Sequence, residues 1–435
     1  MLNNQRQINS QEIKDSQKII NSQELMDAQN KKNIIWNTLG ISSNSFYVML
    51  LMIIVTQING LEVQGGFIFA FNIAAIFQTI GVYGGRIYQI SDVKKEFTNG
   101  NYVSLKFIST LLMFVVALVF CLANGYSFQR ILLIFTFLAF RALESIGDAY
   151  LGVMERNYRL DLTGKSMIMK TLAGLALFTV VNLLTQNVYL ASIAFILSFG
   201  LVLVLFDRKV ATRFDEIIIG FDKHILQLFK KCFPIFIFAF LTLLILNVTR
   251  FFVDVYVSEK LLGIFNIIAM PAAIMPLFTQ FVFQPFMMEL TFSLNNKDFA
   301  RFSRRVGRLF LLLIAAGIVA ISMALLIGIP ILSFIFGEDL TGFRWPLALM
   351  VFAGIVGGGS IIFSLMMTLM RQMKVQIYLF IVTFVAGIIL SILLISAHGI
   401  YGAFIGYTFM QMIQITLFSL CFYICYKRYK KQGKV

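Results

Sequence analysis

The residues most able to do chemistry in this chain are charged side chains set inside strongly apolar stretches. Arg141, Glu144 and Asp148 lie within the apolar stretch 130–153, at spacings of three and four that place them on one helical face. Asn247, Arg250 and Asp254 repeat that spacing within 232–257. A charge at the centre of a bilayer costs about 2.5–3.5 kcal/mol on insertion scales, so such groups face a partner or a water-filled cavity. Two arrangements fit each stripe. The charges can cancel along the helix, Arg141 with Glu144 and Arg250 with Asp254, or they can line a wet cationic chamber between two halves of the protein. An arginine near mid-depth in each half favours the second. Arginine keeps its charge in a low-dielectric site, and its planar fork holds anionic oxygens in pairs. Glu144, Asp148 and Asp254 cannot bind an anion; they can balance the arginines or take up a coupling cation, H⁺ or Na⁺. Arg86, closing the stretch 66–89, is either a third cation at a cavity entrance or an ordinary snorkelling residue. Asn44, Asn72, Gln78 and Asn247, with Gln57 and Asn266, are uncharged polar groups that can line the cavity or join helices to each other.

The elements that position these residues follow from composition. Of 435 residues, 59% are hydrophobic and 13% charged, against roughly 45–50% and about 25% in soluble domains. The chain is therefore expected to be an all-α integral membrane protein. Apolar segments are expected near 34–58, 66–89, 104–123, 130–153, 167–185, 188–206, 232–257, 261–289, 306–330, 342–369, 375–396 and 399–426, about twelve helices. Basic residues alternate between loops. Clusters stand at Lys31–Lys32, Lys94–Lys95, Arg156–Lys165, Arg208–Arg213, Lys297–Arg308, Arg371–Lys374 and Lys427–Lys431, whereas the opposite loops hold Arg130, Lys260 and Arg344. The positive-inside rule then puts both termini in the cytoplasm. The net charge of +15 reads as basic loops facing anionic lipid, with no nucleic-acid partner.

The expected organisation is a polar cytoplasmic tail over 1–30, a six-helix half over 31–206, a cytoplasmic linker over 207–231, a second six-helix half over 232–426 and a basic tail over 427–435. The polar tail holds a near-duplicate, Ile8–Ile13 and Ile20–Leu25, and no leader-like apolar run. Glu62-Val-Gln-Gly-Gly66 and Glu259-Lys-Leu-Leu-Gly263 open corresponding helices in the two halves, an echo expected of repeats related by an axis along the membrane normal. Pro271, Pro276 and Pro285, with Gly357–Gly359, mark hinges or close helix packing.

Several chemistries are excluded. Gly164-Lys165-Ser166 ends like a phosphate-binding loop, but Arg159 stands where its first glycine is required. His224 and His398 fall on opposite membrane faces, and Cys121, Cys232, Cys421 and Cys425 lie in or beside apolar segments, so neither metal nor cofactor is expected. The outside turns are too short to hold an enzyme pocket.

The order of motifs resembles a known family. Asn33-Ile-Ile-Trp36-Asn37-Thr-Leu-Gly40 is followed by Gly60-Leu-Glu62, then Gly84-Gly85-Arg86, Tyr88-Gln89-Ile90-Ser91-Asp92, Gly152-Val-Met-Glu-Arg156 and Thr163-Gly164-Lys165-Ser166. Over residues 31–430 this resembles the polysaccharide-biosynthesis (O-antigen-type) flippases of the multidrug/oligosaccharidyl-lipid/polysaccharide (MOP) superfamily. The resemblance implies two six-helix bundles, as in MATE (multidrug) transporters, around a V-shaped central cavity. It implies a cargo, an undecaprenyl-diphosphate-linked oligosaccharide moved outward across a bacterial plasma membrane, and other polysaccharide-assembly membrane proteins as partners. Arg141, Arg250 and Arg86 would then hold the diphosphate, and the polar amides the sugar. A multidrug antiporter of the same superfamily and a membrane polysaccharide polymerase or ligase are the competing readings.

Overall fold

A computed structural model describes residues 28–92, 95–220, 222–283 and 286–432. The polar tail falls almost wholly outside them, as does Pro285. Every regular element among the described residues is helical.

Nine spans among the described residues are long and apolar enough to cross a membrane. Two of them, 64 and 58 residues long, each hold two crossings. Helices α1 and α2 are the arms of Leu2–Val82, which breaks at Gly60, where φ is +85°. Helices α11 and α12 are the arms of Met373–Gln432, which breaks at Gly399, where φ is +57°. A side chain at either position would be strained, so one glycine serves where a longer loop was expected. The other crossings are α3 (Asn99–Ala123), α4 (Phe128–Arg156), α5 (Leu160–Thr185), α6 (Val188–Val202), α7 (Lys223–Tyr256), α8 (Glu259–Phe283), α9 (Phe299–Met323) and α10 (Arg344–Leu369). Helix α4 stands outside the apolar set although it is 29 residues long, because it carries the Arg141–Glu144–Asp148 stripe. With it the crossings among the described residues number twelve, and the protein is a multi-pass membrane protein.

Helix ends depart from the expected ones where charges are buried. Helix α6 continues through a π-helical stretch, Leu203–Arg208, to Ala211, because Asp207 is drawn inside rather than left in a loop. Helix α7 starts at Lys223, capped by Asp222, well before the apolar run at 232. Helix α9 runs on through Ala324–Gly328 to Phe336.

Aromatic packing holds the first half together. Phe67 meets Phe137 edge-to-face at 4.8 Å, and Phe140 meets Phe199 likewise at 4.8 Å. Such pairs contribute about 0.5–1.5 kcal/mol beyond area burial, and they fix α2, α4 and α6 around Tyr47 of α1. In the second half, the α10 glycines serve close packing: a Cβ on Gly354 would lie 2.4 Å from the Ala272 carbonyl, and one on Gly358 would lie 2.5 Å from Thr279 Oγ1.

Helices α1–α6 pack mainly on one another, as do α7–α12, and α2 makes the main crossings with α7 and α8. At the end assigned to the outside by the charge pattern, α2 and α8 approach so closely that a Cβ on Gly65 would lie 1.9 Å from the Glu259 carbonyl oxygen. At the other end, the first turns of α7 rest on the end of α2, with Tyr83 stacked on Phe236 at 4.7 Å.

Candidate functional site

The charges inside the first half form three separate ion-paired groups around one small cavity. Arg86 sits on the short helix Gly85–Ser91 that follows α2. The loop beyond it is tied down by Asp92, whose carboxylate accepts hydrogen bonds from the Glu96 and Phe97 amides at 3.0 and 3.1 Å and from the Tyr102 hydroxyl at 3.1 Å. Burial pushes the Asp92 carboxyl up, but these bonds, with Arg156 nearby, outweigh it and hold the group below the usual carboxylate range. Arg86 is thereby aimed at α4. It donates to Asp148 Oδ1 at 3.3 Å and forms a two-point pair with Glu155. Asp148 also accepts from Lys106 Nζ at 2.8 Å, and Lys106, fully buried, donates to the Val82 carbonyl at 2.5 Å.

One turn deeper, Arg141 donates to Glu144 at 2.5 Å and to the Tyr47 hydroxyl at 3.3 Å, and its guanidinium lies 4.3 Å from the centre of the Phe71 ring. The pair within the helix is therefore formed. Arg141 is buried, and its Nε finds no hydrogen-bond partner. Glu144 also accepts from Gln78 at 3.0 Å. On α5, Lys170 pairs with Asp207, which accepts from Ser166 at 2.5 Å. Asn44, Gln78, Arg86, Glu144, Asp148 and Lys170 line one cavity of about 140 Å³. At about 30 Å³ per water this holds a handful of water molecules, so a large headgroup would have to extend beyond it. Asn72 is half-buried on α2 and is not part of that wall.

The second half is arranged differently. The alternative pairing of Arg250 with Asp254 does not form. Helical side chains lean toward the helix N-terminus, and Arg250 accordingly turns back, donating to the Leu246 carbonyl at 2.6 Å and to Asn247 Oδ1 at 3.4 Å. Its Nε donates to Asn266 Oδ1 on α8 at 2.9 Å. Among the described residues Arg250 has no carboxylate partner, and the buried Nδ2 of Asn266 has no acceptor. Asp254, nearer the outer end of α7, pairs instead with Arg130 of α4, which lies 4.0 Å from Glu259 as well.

The space between the halves is not the cationic chamber expected. A cavity of about 260 Å³ between α2, α3, α7 and α11 is walled by groups such as Ile73, Phe77, Phe120 and Phe251, with Asn247 as a polar member. Arg86, Arg141 and Arg250 are each held by groups of their own half instead. A further cavity, about 230 Å³, lies inside the second half and presents the uncharged polar groups Thr242, Ser360, Ser364, Tyr407, Gln411 and Gln414.

No family model matches the chain. A curated relative, the capsular polysaccharide biosynthesis protein CapF of Staphylococcus aureus, is 23% identical over 392 residues, covering 87% of this chain and 94% of that one. An inward-facing multidrug MATE transporter superposes with a TM-score of 0.74 at 12% identity, covering 92% of this chain and 99% of that one. The chain shares the fold of this MATE transporter. An outward-facing MATE transporter gives a TM-score of 0.64 at 14% identity, covering 93% of this chain and 97% of that one. A Pyrococcus furiosus MOP transporter, described as having a binding pocket of reversed polarity, gives 0.57 at 12% identity, with 94% and 97% covered. The two comparisons bear out the resemblance to polysaccharide-biosynthesis exporters of MOP type.

Within this MATE-like fold, spacing along α4 brought Arg141 and Glu144 to notice, but not Lys106, Lys170, Asp207, Glu155, Arg130 or Tyr47. The signal for the two lysines was present: each is a single charge inside an apolar run, Ser-Leu-Lys106-Phe-Ile and Ile-Met-Lys170-Thr-Leu.

Proposed function

We propose that the protein is a flippase that carries a diphosphate-linked oligosaccharide lipid outward across a bacterial plasma membrane, with both termini cytoplasmic. The observation that carries this reading is Arg250, a cation inside the membrane held by uncharged acceptors alone, beside the unpartnered Asn266 amide. Such a site lacks an anion, and a diphosphate supplies one with oxygens in the spacing a guanidinium prefers. The cavity lined by Tyr407, Gln411 and Gln414 offers donors and acceptors without charge, as neutral sugar rings require. The relative's name, capsular polysaccharide biosynthesis, supports the same cargo class. In this reading the chain performs transport rather than catalysis, and other polysaccharide-assembly membrane proteins deliver and receive its cargo.

The carboxylates Glu144 and Asp148 face the small polar cavity of the first half and are half-buried. They suit a coupling role for H⁺ or Na⁺ alongside the cargo. The same pair is what a multidrug antiporter of this fold would use, and that is the second reading. The two separate in a strain lacking the protein: lipid-linked oligosaccharide accumulating on the inner leaflet supports the flippase, whereas unchanged lipid intermediates with altered cationic-drug tolerance would overturn it in favour of the antiporter.

A further inference from the structure

Helix α9 opens with a run of arginines that the proposed transport cycle leaves unused. Asp298 caps the helix, accepting from the Arg301 amide at 3.0 Å. Arg301, Arg304, Arg305 and Arg308 follow at helical spacing, so all four share one face. They enclose a cleft of about 210 Å³. Glu289, on the neighbouring helix Met287–Asn295, draws two of them together, its Oε1 accepting from Arg301 at 3.0 Å and from Arg305 at 2.6 Å. Arg304 reaches the Ala300 carbonyl at 3.4 Å, and neither Arg304 nor Arg308 has a carboxylate partner among the described residues. Four guanidinium groups therefore face one carboxylate.

The exposed side of the helix then continues into the membrane. Leu311, Leu312, Ile318 and Val319 are 66%, 48%, 62% and 59% exposed. From Arg308 to Val319 a helix rises roughly 16 Å, about half of the ~30 Å hydrocarbon core. A charged cleft thus stands at headgroup level above an apolar stripe one leaflet long. A positive-inside arginine acting alone extends separately into water; here a shared carboxylate gathers the groups around one space.

We propose that this cleft binds the phosphate headgroup of an anionic phospholipid in the leaflet on the side of the termini, with an acyl chain lying along Leu311–Val319. Guanidinium groups hold phosphate oxygens in pairs, and basic pockets at helix ends on this side suit anionic lipid heads. The continuity of the cleft with the lipid-facing stripe favours a lipid over a soluble phosphate. The site stands apart from Arg250 and does not depend on the cargo.

The test uses the full-length protein in nanodiscs, with native mass spectrometry and titration of phosphatidylglycerol against phosphatidylcholine. The unchanged protein should retain phosphatidylglycerol preferentially. Arg304→Gln with Arg308→Gln should weaken that retention roughly thirtyfold, at about fivefold per lost basic group near an anionic surface, with an unchanged melting temperature in lipid-free detergent. Glu289→Gln removes the carboxylate facing the cleft and should tighten phosphatidylglycerol binding, a gain that misfolding cannot imitate. Equal retention by the double variant, or no gain in Glu289→Gln, overturns the proposal. Displacement of the lipid by inorganic pyrophosphate at matched concentration overturns it too, by assigning the cleft to soluble phosphate.

Discussion

The pair between Arg130 of α4 and Asp254 of α7 joins the two halves at their outer ends, and its removal tests whether it latches them. The Asp254 side chain is 3% exposed and that of Arg130 24%. Removing one partner of a buried pair costs about 3–5 kcal/mol, because the other charge is left without compensation. Partial exposure of Arg130 reduces this to about 2–3 kcal/mol, and the carboxylate of Glu259 offers no relief. The cost falls on the state in which the outer ends meet, so Arg130→Gln should shift the balance toward a separated state by roughly 30- to 150-fold. Asp254→Asn should act less strongly, since Arg130 keeps its contacts with the Phe69 and Tyr126 rings at 4.3 and 4.9 Å. Combining the two should recover part of the loss. Spin labels at Glu62 and Lys260, both exposed on the outer ends of α2 and α8, report the separation directly once the four native cysteines are replaced. A folded Arg130→Gln protein with the parental distance distribution refutes the latch.

Other consequences are as specific. Arg250→Ala should abolish outward movement of the lipid-linked cargo at normal protein level, while Arg250→Lys retains a fraction, because a point charge lacks the paired donors; a translocation assay in proteoliposomes reads both. Lys170→Met should lower thermal stability by about 3–5 kcal/mol by leaving Asp207 buried and unpaired, and Lys170→Met with Asp207→Leu should be milder, as thermal melts in detergent will show. Asp92 has a folded pKa below its ordinary 3.8, so its contribution is full above that value and fades as pH falls through the depressed one; Asp92→Asn should flatten the acid limb of the stability curve. A diphosphate bearing roughly two charges gains about 2.3 kcal/mol per charge per 100 mV on moving outward, so collapsing an inside-negative potential should slow transport steeply.

Much of the membrane architecture could be read from apolar runs and alternating basic loops, because both are local properties of the chain. Spacing also reached Arg141 and Glu144, three residues apart on one face. It could not reach the pairing of Arg130 with Asp254, 124 residues apart, since no one-dimensional pattern records which helices meet at the outer end. Lys106 and Lys170 escaped for a different reason. Each is a lone charge among mostly apolar neighbours, two to three turns inside its helix, so averaging hid the charge. Their carboxylate partners Asp148 and Asp207 come from α4 and the end of α6, elements whose neighbours only the fold defines. Arg250 shows the converse: its spacing to Asp254 allowed a pair, and the backward lean of helical side chains gave it Asn247 and the Leu246 carbonyl, with Asn266 of α8, instead.

The charge balance of the two halves bears on how a cycle would run. In the first half Arg86, Lys106, Arg141 and Lys170 are each met by a carboxylate, so that half is nearly neutral before any cargo arrives. Among the described residues Arg250 is met by none, and in the proposed function an anionic cargo would supply the missing counter-charge. In that reading loading would stabilise the bundle that holds Arg250, and a loaded carrier would face a lower barrier to reorientation than an empty one. The electrical terms would then work in the same direction on both strokes of the proposed cycle. With a cargo of roughly two negative charges, the loaded stroke carries about one net negative charge outward, and the empty stroke returns one positive charge inward. Each releases about 2.3 kcal/mol per 100 mV. In the proposed cycle a single uncompensated arginine would divide the driving force between export and reset, which a neutral site of the same shape could not do.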